Sequence, residues 1–209
     1  MILFDFDGVL ADTIGDMLHF AQETCDELGV HHIVTQEDLN SLEVMSFAEY
    51  GRNCEVPENL VDEFVKRCLK RFAEKQSPPE IFSGLDAVIK ELSRQNIIAV
   101  ISGNTTQNIQ TFLLEHGLEK YVGAIYGVDT PGSKTEKISM ARNQFSAGNE
   151  ATFMVGDSLS DIRAAKEASV KSIAVSWGHQ TAERLLTATP NYLVHSPQEL
   201  LDVIKRHEL

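Results

Sequence analysis

Two carboxylates stand two positions apart near the amino terminus, in the segment MILFDFDGVLADT. Asp5 and Asp7 follow the apolar run Ile2–Phe4, which predicts a short buried strand, and Gly8 predicts the turn that ends it. Residues two apart leave a strand on the same side, so both carboxylates are expected to face one space. Like charges held this close raise each other's pKa unless a cation lies between them. The pair indicates a cation site or acid–base chemistry, although Asp and Gly are also common in ordinary turns.

Polar residues also follow three later apolar runs, at residues 97–102, 124–128 and 151–157. Short apolar runs that alternate with helical stretches predict parallel strands. Because the carboxyl ends of parallel strands meet at one edge of a sheet, we expect one site to collect the polar residues beyond them. These residues are Ser102, Gly103 and Asn104 in ISGNT, Lys134 in GVDTPGSK, and Asp157 and Asp161 in VGDSLSD.

The combined set has the chemistry of phosphoryl transfer. Four carboxylates around one space need a divalent cation, and all-oxygen ligation suits Mg²⁺. A serine hydroxyl, the amides of a glycine turn and a lysine can hold phosphoryl oxygens. One Asp can attack phosphorus, and a second can protonate the leaving oxygen and then activate water. Taken singly, the serine turn, the lysine and Asp157 have structural explanations as a turn, a solvated side chain and a helix N-cap.

The elements that must position these residues follow two patterns. From about Ile14 to Gln76 the apolar residues recur at helical spacing, with Gly29 as a stop and Pro57 opening a long amphipathic helix. The double proline in QSPPE then closes this helical block.

After the double proline, strand-like runs alternate with helices through residues 171–177 and 191–195 to a last helix from about Pro197. This pattern predicts an α/β fold, a Rossmann-like parallel sheet with helices on both faces. Because the run at residues 2–4 precedes the helical block, the block is an insertion. Residues 1–13 and 80–209 are predicted to form the core domain, and residues 14–79 an all-helical inserted domain that moves on hinges at 11–13 and 77–79.

The composition of the chain limits the classes of partner that it is expected to bind. The 209 residues carry a formal net charge of −13, which repels nucleic acid and anionic membrane surfaces alike. No stretch reaches a membrane span and no signal peptide is visible, so a cytoplasmic protein is expected. Cys25, Cys54 and Cys68 are odd in number and lack C-x-x-C spacing, which disfavours disulfides and a zinc site. His31 and His32 have no further ligand at metal spacing and are predicted to be solvated.

The segments DFDGVLADT and GDSLSD resemble the signature of haloacid dehalogenase superfamily phosphatases, in the subclass with a helical cap inserted soon after the first strand. The resemblance covers essentially the whole chain. It implies that Asp5 is the nucleophile, that Asp7 is the general acid/base and that Ser102 binds phosphate. It also implies Mg²⁺ held by Asp5, Asp157, Asp161 and the backbone carbonyl of Asp7. Residues 174–200 resemble the phosphoglycolate phosphatase-like branch.

The segment GSKTEKI, which would contain the phosphate-binding lysine of the family, departs from the family pattern. It lacks the Pro-x-Pro signature that follows this lysine in many relatives. Lys134 and Lys137 both compete for the phosphate-binding role. Lys134 is favoured because it precedes the helix, whereas Lys137 lies one turn in and is expected to be solvated.

Trp177 and His179 could reach the pocket rim, but a packing or capping role is expected for them.

The leading prediction is a Mg²⁺-dependent phosphatase that hydrolyses a small phosphorylated metabolite, with phosphoglycolate first. A phosphomutase of the β-phosphoglucomutase type would use the same two Asp residues and stays open as the alternative. A non-catalytic phosphoryl-binding or regulatory protein ranks lower, because neither Asp5 nor Asp7 is lost. The chain is expected to be a monomer or homodimer. Substrate choice is assigned to the cap, where Arg52, expected between two helices, is the candidate for a substrate anion.

Overall fold

The computed structural model describes residues 1–75 and 77–207; Gln76, expected at the end of the helical block, lies outside the described residues. The strands are β1 (Ile2–Phe4), β2 (Ala11–Asp12), β3 (Glu80–Ile81), β4 (Ile98–Ile101), β5 (Ala124–Tyr126), β6 (Phe153–Gly156), β7 (Lys171–Val175) and β8 (Tyr192–Val194). The helices are α1 (Ile14–Leu28), α2 (Gln36–Asn40), α3 (Phe47–Asn53), α4 (Val61–Glu74), α5 (Leu85–Leu92), α6 (Thr106–Glu115), α7 (Lys134–Phe145), α8 (Leu159–Glu167), α9 (Ala182–Thr187) and α10 (Pro197–Lys205).

In the part of the chain that the structure describes, six parallel strands form the main sheet, in the order β5-β4-β1-β6-β7-β8. Strand β1 lies between β4 and β6, with Leu3 opposite Ala99 on one side and Met154 on the other. The chain fills one side of β1 with β4 and β5 and then crosses to build β6, β7 and β8 on the other. The order therefore reverses beside β1, and open α/β sheets bind ligands beyond the strand ends at such a switch point.

Successive apolar side chains of the strands point to opposite faces of the sheet, and an apolar core covers each face. Ile2 and Phe4 belong to the larger core cluster, with residues of α5, α6 and α10, whereas Leu3 belongs to the opposite cluster, with residues of α7 and α8. Strands buried on both faces have nearly continuous apolar sequences, as the runs here do. The expected α/β fold with helices on both faces is confirmed.

Residues 1–12 and 79–209 form one compact unit, and residues 13–78 form a second. The chain leaves the first unit after β2 and re-enters it just before β3. These two short strands pair antiparallel, with Ala11 opposite Ile81 and Asp12 opposite Glu80. The sequence did not indicate this pairing, because two-residue strands carry no periodicity.

Helices joined by loops make up the second unit, which has no strand in the residues that the structure describes, and it has its own apolar core. Helices α1, α3 and α4 supply most of it, with Tyr50 and Phe64 buried at the centre. Gly29 ends α1 in the left-handed conformation at φ 72°, as expected for a stop. Thr35 and Asp38 form a capping box at the start of α2.

Two details of the second unit differ from the expectations. Arg52 lies within α3 and not between two helices. Pro57 precedes a short 3-10 turn at Glu58–Leu60, and the amphipathic helix α4 begins only at Val61. Among the described residues, none of the helices combines the length and the apolar character that crossing a membrane requires.

Candidate active site

Asp5 lies at the carboxyl end of β1, beside the switch point. Its backbone amide donates to the carbonyl of Val155, which fixes the residue against β6. Its Oδ1 accepts from the amide of Phe6 at 2.8 Å, and its Oδ2 accepts from Lys134 Nζ at 2.9 Å. Burial, reinforced by the nearby Asp161 carboxylate, raises the pKa of Asp5 well above its usual range, and Lys134 opposes that rise. The buried carboxylate therefore depends on neighbouring positive charge to stay ionised.

Asp7 is held by a different partner. Asn104 Nδ2 lies 3.2 Å from its Oδ2 and 3.4 Å from its Oδ1. Phe6, between the two acids, is buried and packs edge-on against Phe112, with ring centroids 5.0 Å apart. Burial raises the pKa of Asp7, while His179 and Asn104 lower it. A carboxyl with a raised pKa can carry the proton that a general acid must donate.

Asp157 follows β6 and is almost fully buried. Its Oδ2 accepts from the backbone amide of His179 at 2.7 Å and lies 2.7 Å from His179 Nδ1. Burial works against the charged imidazolium, but the Asp157 carboxylate outweighs it and raises the pKa of His179. His179, for which only a packing or capping role was expected, thus also pairs with a predicted metal-ligand carboxylate. Trp177 does pack, against Phe82, and donates to the carbonyl of Val9.

Two glycines allow the acids to come this close. A Cβ atom on Gly8, whose φ is +74°, would lie 2.0 Å from Asp157 Oδ2. A Cβ atom on Gly156 would lie 2.2 Å from the Cβ of Asp161. Both distances are far below contact, so the sequence requires glycine here for close approach as well as for the turn.

Lys134 and Asp161 complete the buried charge cluster. Asp161 belongs to a capping box at the start of α8, where its Oδ2 accepts from the Ser158 amide at 3.1 Å and hydroxyl at 2.6 Å. Its Oδ1 accepts from Lys134 Nζ, the group that also contacts Asp5. Burial opposes the charge on Lys134, but Asp161 and Asp5 outweigh burial and raise its pKa. Ser158, and not Asp157, is thus the N-cap of this helix.

The turn after β4 carries the predicted phosphate-binding residues. Ser102 is buried, and its Oγ accepts from the amide of Asn104 at 2.9 Å, while Gly103 is exposed at the tip. Helix α6 begins directly after this turn with Thr105 as its N-cap. The amino terminus of a helix favours negative charge, so the turn suits an oxyanion.

Lys137 is buried, and the prediction that it is solvated is wrong. Its Nζ donates to the carbonyl of Gly127 at 2.7 Å and lies 3.5 Å from that of Ser102. The lysine therefore ties the turn after β5 to the turn after β4. Sequence spacing could not reveal this, because only the fold shows that a residue one turn into α7 faces two strand ends.

Arg52 forms ion pairs with acidic residues of the helical unit. Its guanidinium donates to both carboxylate oxygens of Glu58, at 2.9 and 2.7 Å, and lies 3.8 Å from Glu49. Such bidentate pairing satisfies an Arg side chain. Its role as a substrate ligand stays a prediction that this geometry does not support.

The donor set fits a hard divalent cation. Asp5, Asp157 and Asp161 are all buried, and each offers a carboxylate oxygen within 4.8 Å of those of the others. Buried carboxylates this close need a cation between them, and oxygen ligands suit Mg²⁺ or Ca²⁺ better than soft metals. Lys134 supplies one positive charge to this cluster and leaves a surplus of negative charge.

The parallel sheet with helices on both faces and the acidic cluster beyond the ends of β1 and β6 are the arrangement of haloacid dehalogenase-like hydrolases. Residues 2–175 match the family model described as haloacid dehalogenase-like hydrolase. The chain belongs to this family.

Relatives of similar length carry two different names. A phosphoglycolate phosphatase from Synechococcus elongatus is 24% identical over 97% of this chain and 96% of its own length. The pyrophosphatase PpaX from Listeria monocytogenes is 25% identical over 99% of this chain and 97% of its own. A haloacid dehalogenase-like hydrolase from Streptococcus pneumoniae has the same fold, with a TM-score of 0.84 at 23% identity, over 97% of this chain and 96% of that one.

Proposed function

We propose that this protein is a Mg²⁺-dependent phosphatase that hydrolyses a small phosphorylated metabolite through an aspartyl-phosphate intermediate on Asp5. The observation that carries the proposal is the Lys134 ammonium, held between the buried carboxylates of Asp5 and Asp161 at the switch point of the sheet. A fixed positive charge beside a carboxylate nucleophile can stabilise the charge that develops on a transferring phosphoryl group.

In the first step, an Asp5 carboxylate oxygen attacks phosphorus and the bond from phosphorus to the ester oxygen breaks. The Asp7 carboxyl gives its proton to the leaving oxygen, so the alcohol departs neutral. Lys134 and the amides of the turn at Ser102–Asn104 hold the non-bridging oxygens. Asn104, which donates to Asp7, keeps that carboxyl oriented toward the reacting groups.

In the second step, a water molecule attacks the phosphorus of the aspartyl phosphate. Asp7, now a carboxylate, accepts a proton from the water, and the bond from phosphorus to Asp5 breaks. Inorganic phosphate leaves, and Asp5 and Asp7 return to their starting charges. The bonds and protons exchanged in the two steps therefore balance among the substrate, water and the two acids.

Asp5, Asp157, Asp161 and the backbone carbonyl of Asp7 would hold the magnesium ion. When bound, Mg²⁺ neutralises the surplus negative charge of the cluster and of the phosphoryl oxygens, so that two anions can approach. His179 holds the Asp157 carboxylate in place through its backbone amide and its ring nitrogen Nδ1. Partners of this kind orient metal ligands and strengthen binding.

Phosphoglycolate, a small phosphate ester that also carries a carboxylate, is the first substrate proposed, in line with the name of the Synechococcus relative. The Listeria relative, named a pyrophosphatase, makes inorganic pyrophosphate the second candidate, since the same two acids could cleave a phosphoanhydride. A phosphomutase of the β-phosphoglucomutase type would also use them.

A panel of phosphorylated metabolites assayed for phosphate release with Mg²⁺ tests these alternatives. The panel includes phosphoglycolate, pyrophosphate and hexose 1-phosphates. We expect the highest kcat/KM for phosphoglycolate, and loss of all turnover in excess chelator with recovery on adding Mg²⁺. Selective cleavage of pyrophosphate would replace the substrate assignment, isomerisation of a hexose phosphate would favour the mutase, and undiminished turnover in chelator would contradict the metal site.

A further inference from the structure

A second group of metal-ligating side chains lies in the helical unit. Cys25 comes from α1, His32 from the loop after it, Asp38 from α2, and Cys54 directly follows α3. We refer to these four residues as the thiol–imidazole cluster. The sequence disfavoured a zinc site because the three cysteines lack C-x-x-C spacing and His32 has no further ligand at metal spacing, yet these four residues come from separate segments of the helical unit.

The donor atoms of three members of the cluster are close enough to share one ion. His32 Nε2 lies 3.0 Å from Asp38 Oδ1. His32, Asp38 and Cys54 each offer a ligand atom within 4.8 Å of the others. The buried thiol of Cys25 lies outside this group of three but neighbours that of Cys54. Metal–ligand bonds of about 2.0–2.3 Å in a tetrahedral site place ligand atoms roughly 3.3–3.8 Å apart. The three grouped ligand atoms are near this spacing, and rotation of the Cys25 side chain would bring in the fourth ligand.

Other contacts hold the cluster in place. Gln22 clamps the loop of His32, with its Nε2 donating to the His32 carbonyl at 3.1 Å and its Oε1 accepting from the Val34 amide at 2.8 Å. Asp38 uses Oδ2 for the capping box with Thr35, at 2.7 Å, which leaves Oδ1 directed toward His32. The prediction that His32 is solvated is thus wrong, whereas its neighbour His31 is exposed.

We propose that His32, Asp38 and Cys54 hold a zinc ion within the helical unit, and that the neighbouring Cys25 thiol supplies the fourth ligand of a tetrahedral site. Two sulfurs, an imidazole and a carboxylate are ligands of a kind that Zn²⁺ accepts and that Mg²⁺ does not prefer. The site differs in chemistry from the all-oxygen cluster around Asp5, and nothing in the proposed hydrolysis uses it. With four protein ligands it would be closed and structural, stabilising the packing of α1, α2 and α3.

Binding must displace two thiol protons, one from Cys25 and one from Cys54, to solvent. Because these protons must leave, zinc affinity should increase as the pH rises.

Cobalt substitution tests the site by a signal that the carboxylate cluster cannot produce. The full-length protein, stripped with chelator and kept in excess Mg²⁺, is titrated with Co²⁺. We expect one equivalent to produce a thiolate-to-cobalt charge-transfer band and the visible bands of a tetrahedral ion, and one equivalent of Zn²⁺ to abolish both. Zn²⁺ should also raise the midpoint of thermal unfolding, because it binds only the folded chain at this site.

Matched variants locate the ligands. Cys54→Ser should remove the charge-transfer intensity that its sulfur supplies and weaken binding, and His32→Gln should weaken Co²⁺ binding by more than the roughly 10–100-fold of an outer-shell change. Cys68→Ser, at the third buried cysteine, and His31→Gln should leave affinity and spectrum unchanged. The proposal is overturned if the wild-type protein shows no thiolate band, or if the band keeps its affinity and intensity in both ligand variants. Because the assay measures binding alone, it is independent of the proposed phosphatase activity.

Discussion

Asp5 and Asp7 have different partners, so the same substitution should have different effects at the two positions. Asp5→Asn should abolish turnover, because a carboxamide is a poor nucleophile toward phosphorus and a metal-ligand oxygen is lost. Asp7→Asn should reduce kcat by roughly a hundredfold to ten-thousandfold, the usual contribution of acid–base catalysis. It should leave Mg²⁺-dependent substrate binding intact, since the backbone carbonyl remains. Turnover assays and calorimetry on both variants measure these effects.

Loss of folding is not an expected cause of either result. Burial raises the pKa of Asp5 and of Asp7, so the folded protein disfavours their charged forms. Asparagine has nearly the shape of aspartate, and Lys134 keeps Asp161 as a partner in Asp5→Asn, so we expect unfolding midpoints close to that of the wild type. Normal turnover by Asp7→Asn would disprove its acid/base role.

His179 should act on the metal through Asp157. His179→Gln removes the ring that lies 2.7 Å from Asp157 Oδ2 but keeps the backbone amide bond to the same oxygen. We expect the Mg²⁺ concentration needed for half-maximal activity to rise by roughly 10–100-fold, with much of kcat recovered at saturating Mg²⁺. The exposed His207→Gln serves as the control. Equal Mg²⁺ requirements in the two variants would leave His179 as a packing residue only.

At the scale of the residue, the sequence predicted the site residues whose type and position after a strand suggest chemistry. It did not predict contacts that depend on how distant segments meet in the fold. Asp5, Lys134 and Asp161 each follow a recognisable strand and contact one another directly. His179 and Lys137 carry no signal beyond their residue type, because their partners come from other strand ends. Only the order of the strands reveals those contacts.

At the scale of the element, the turn after β1 must be tight enough to bring Asp157 against it. Gly8→Ala would introduce a Cβ atom 2.0 Å from Asp157 Oδ2 at a φ of +74°. Left-handed backbone strain and overpacking together should lower the free energy of unfolding by about 2–4 kcal/mol, and the displaced Asp157 should reduce activity further. Denaturant unfolding and the phosphatase assay measure both effects.

Gly148→Ala is the matched control for that glycine. Gly148 lies in the same unit at φ −72°, with open space where a Cβ atom would stand. Because alanine adopts this conformation without strain, we expect stability within about 1 kcal/mol of the wild type and unchanged activity. Equal effects of the two substitutions would show that the close approach at Gly8 is unimportant.

The strands of the main sheet were predictable because each is an apolar run bounded by polar turns, as at residues 98–101 and 153–156. The details of the helical unit were harder to predict. Helix α3, with only seven residues, is too short for a clear period, and Arg52 was therefore placed outside it. The β2–β3 pair joins segments 68 residues apart (80 − 12) and depends on a contact that local sequence does not encode.

At the scale of the whole molecule, each unit has an apolar core of its own. The core of the helical unit is made by residues between Met17 and Cys68, and the sheet clusters draw only on residues outside that span. The chain enters and leaves the helical unit at the adjacent strands β2 and β3. Insertions with neighbouring ends and separate cores can be removed without breaking the host sheet.

Removal of residues 13–78, with Asp12 joined to Pro79 by a short Gly-Ser linker, should therefore leave a folded core. The paired strands hold the two cut ends close together, since partners in an antiparallel ladder lie about 4.5–5.5 Å apart. We propose that the helical unit is a cap that selects the substrate. The shortened protein should still hydrolyse a small aryl phosphate slowly with Mg²⁺ but lose its preference among metabolites. Circular dichroism checks folding, the substrate panel checks selectivity, and Asp5→Asn in the shortened chain should abolish the residual activity. A folded core that keeps the full-length preference would assign specificity to the sheet edge instead.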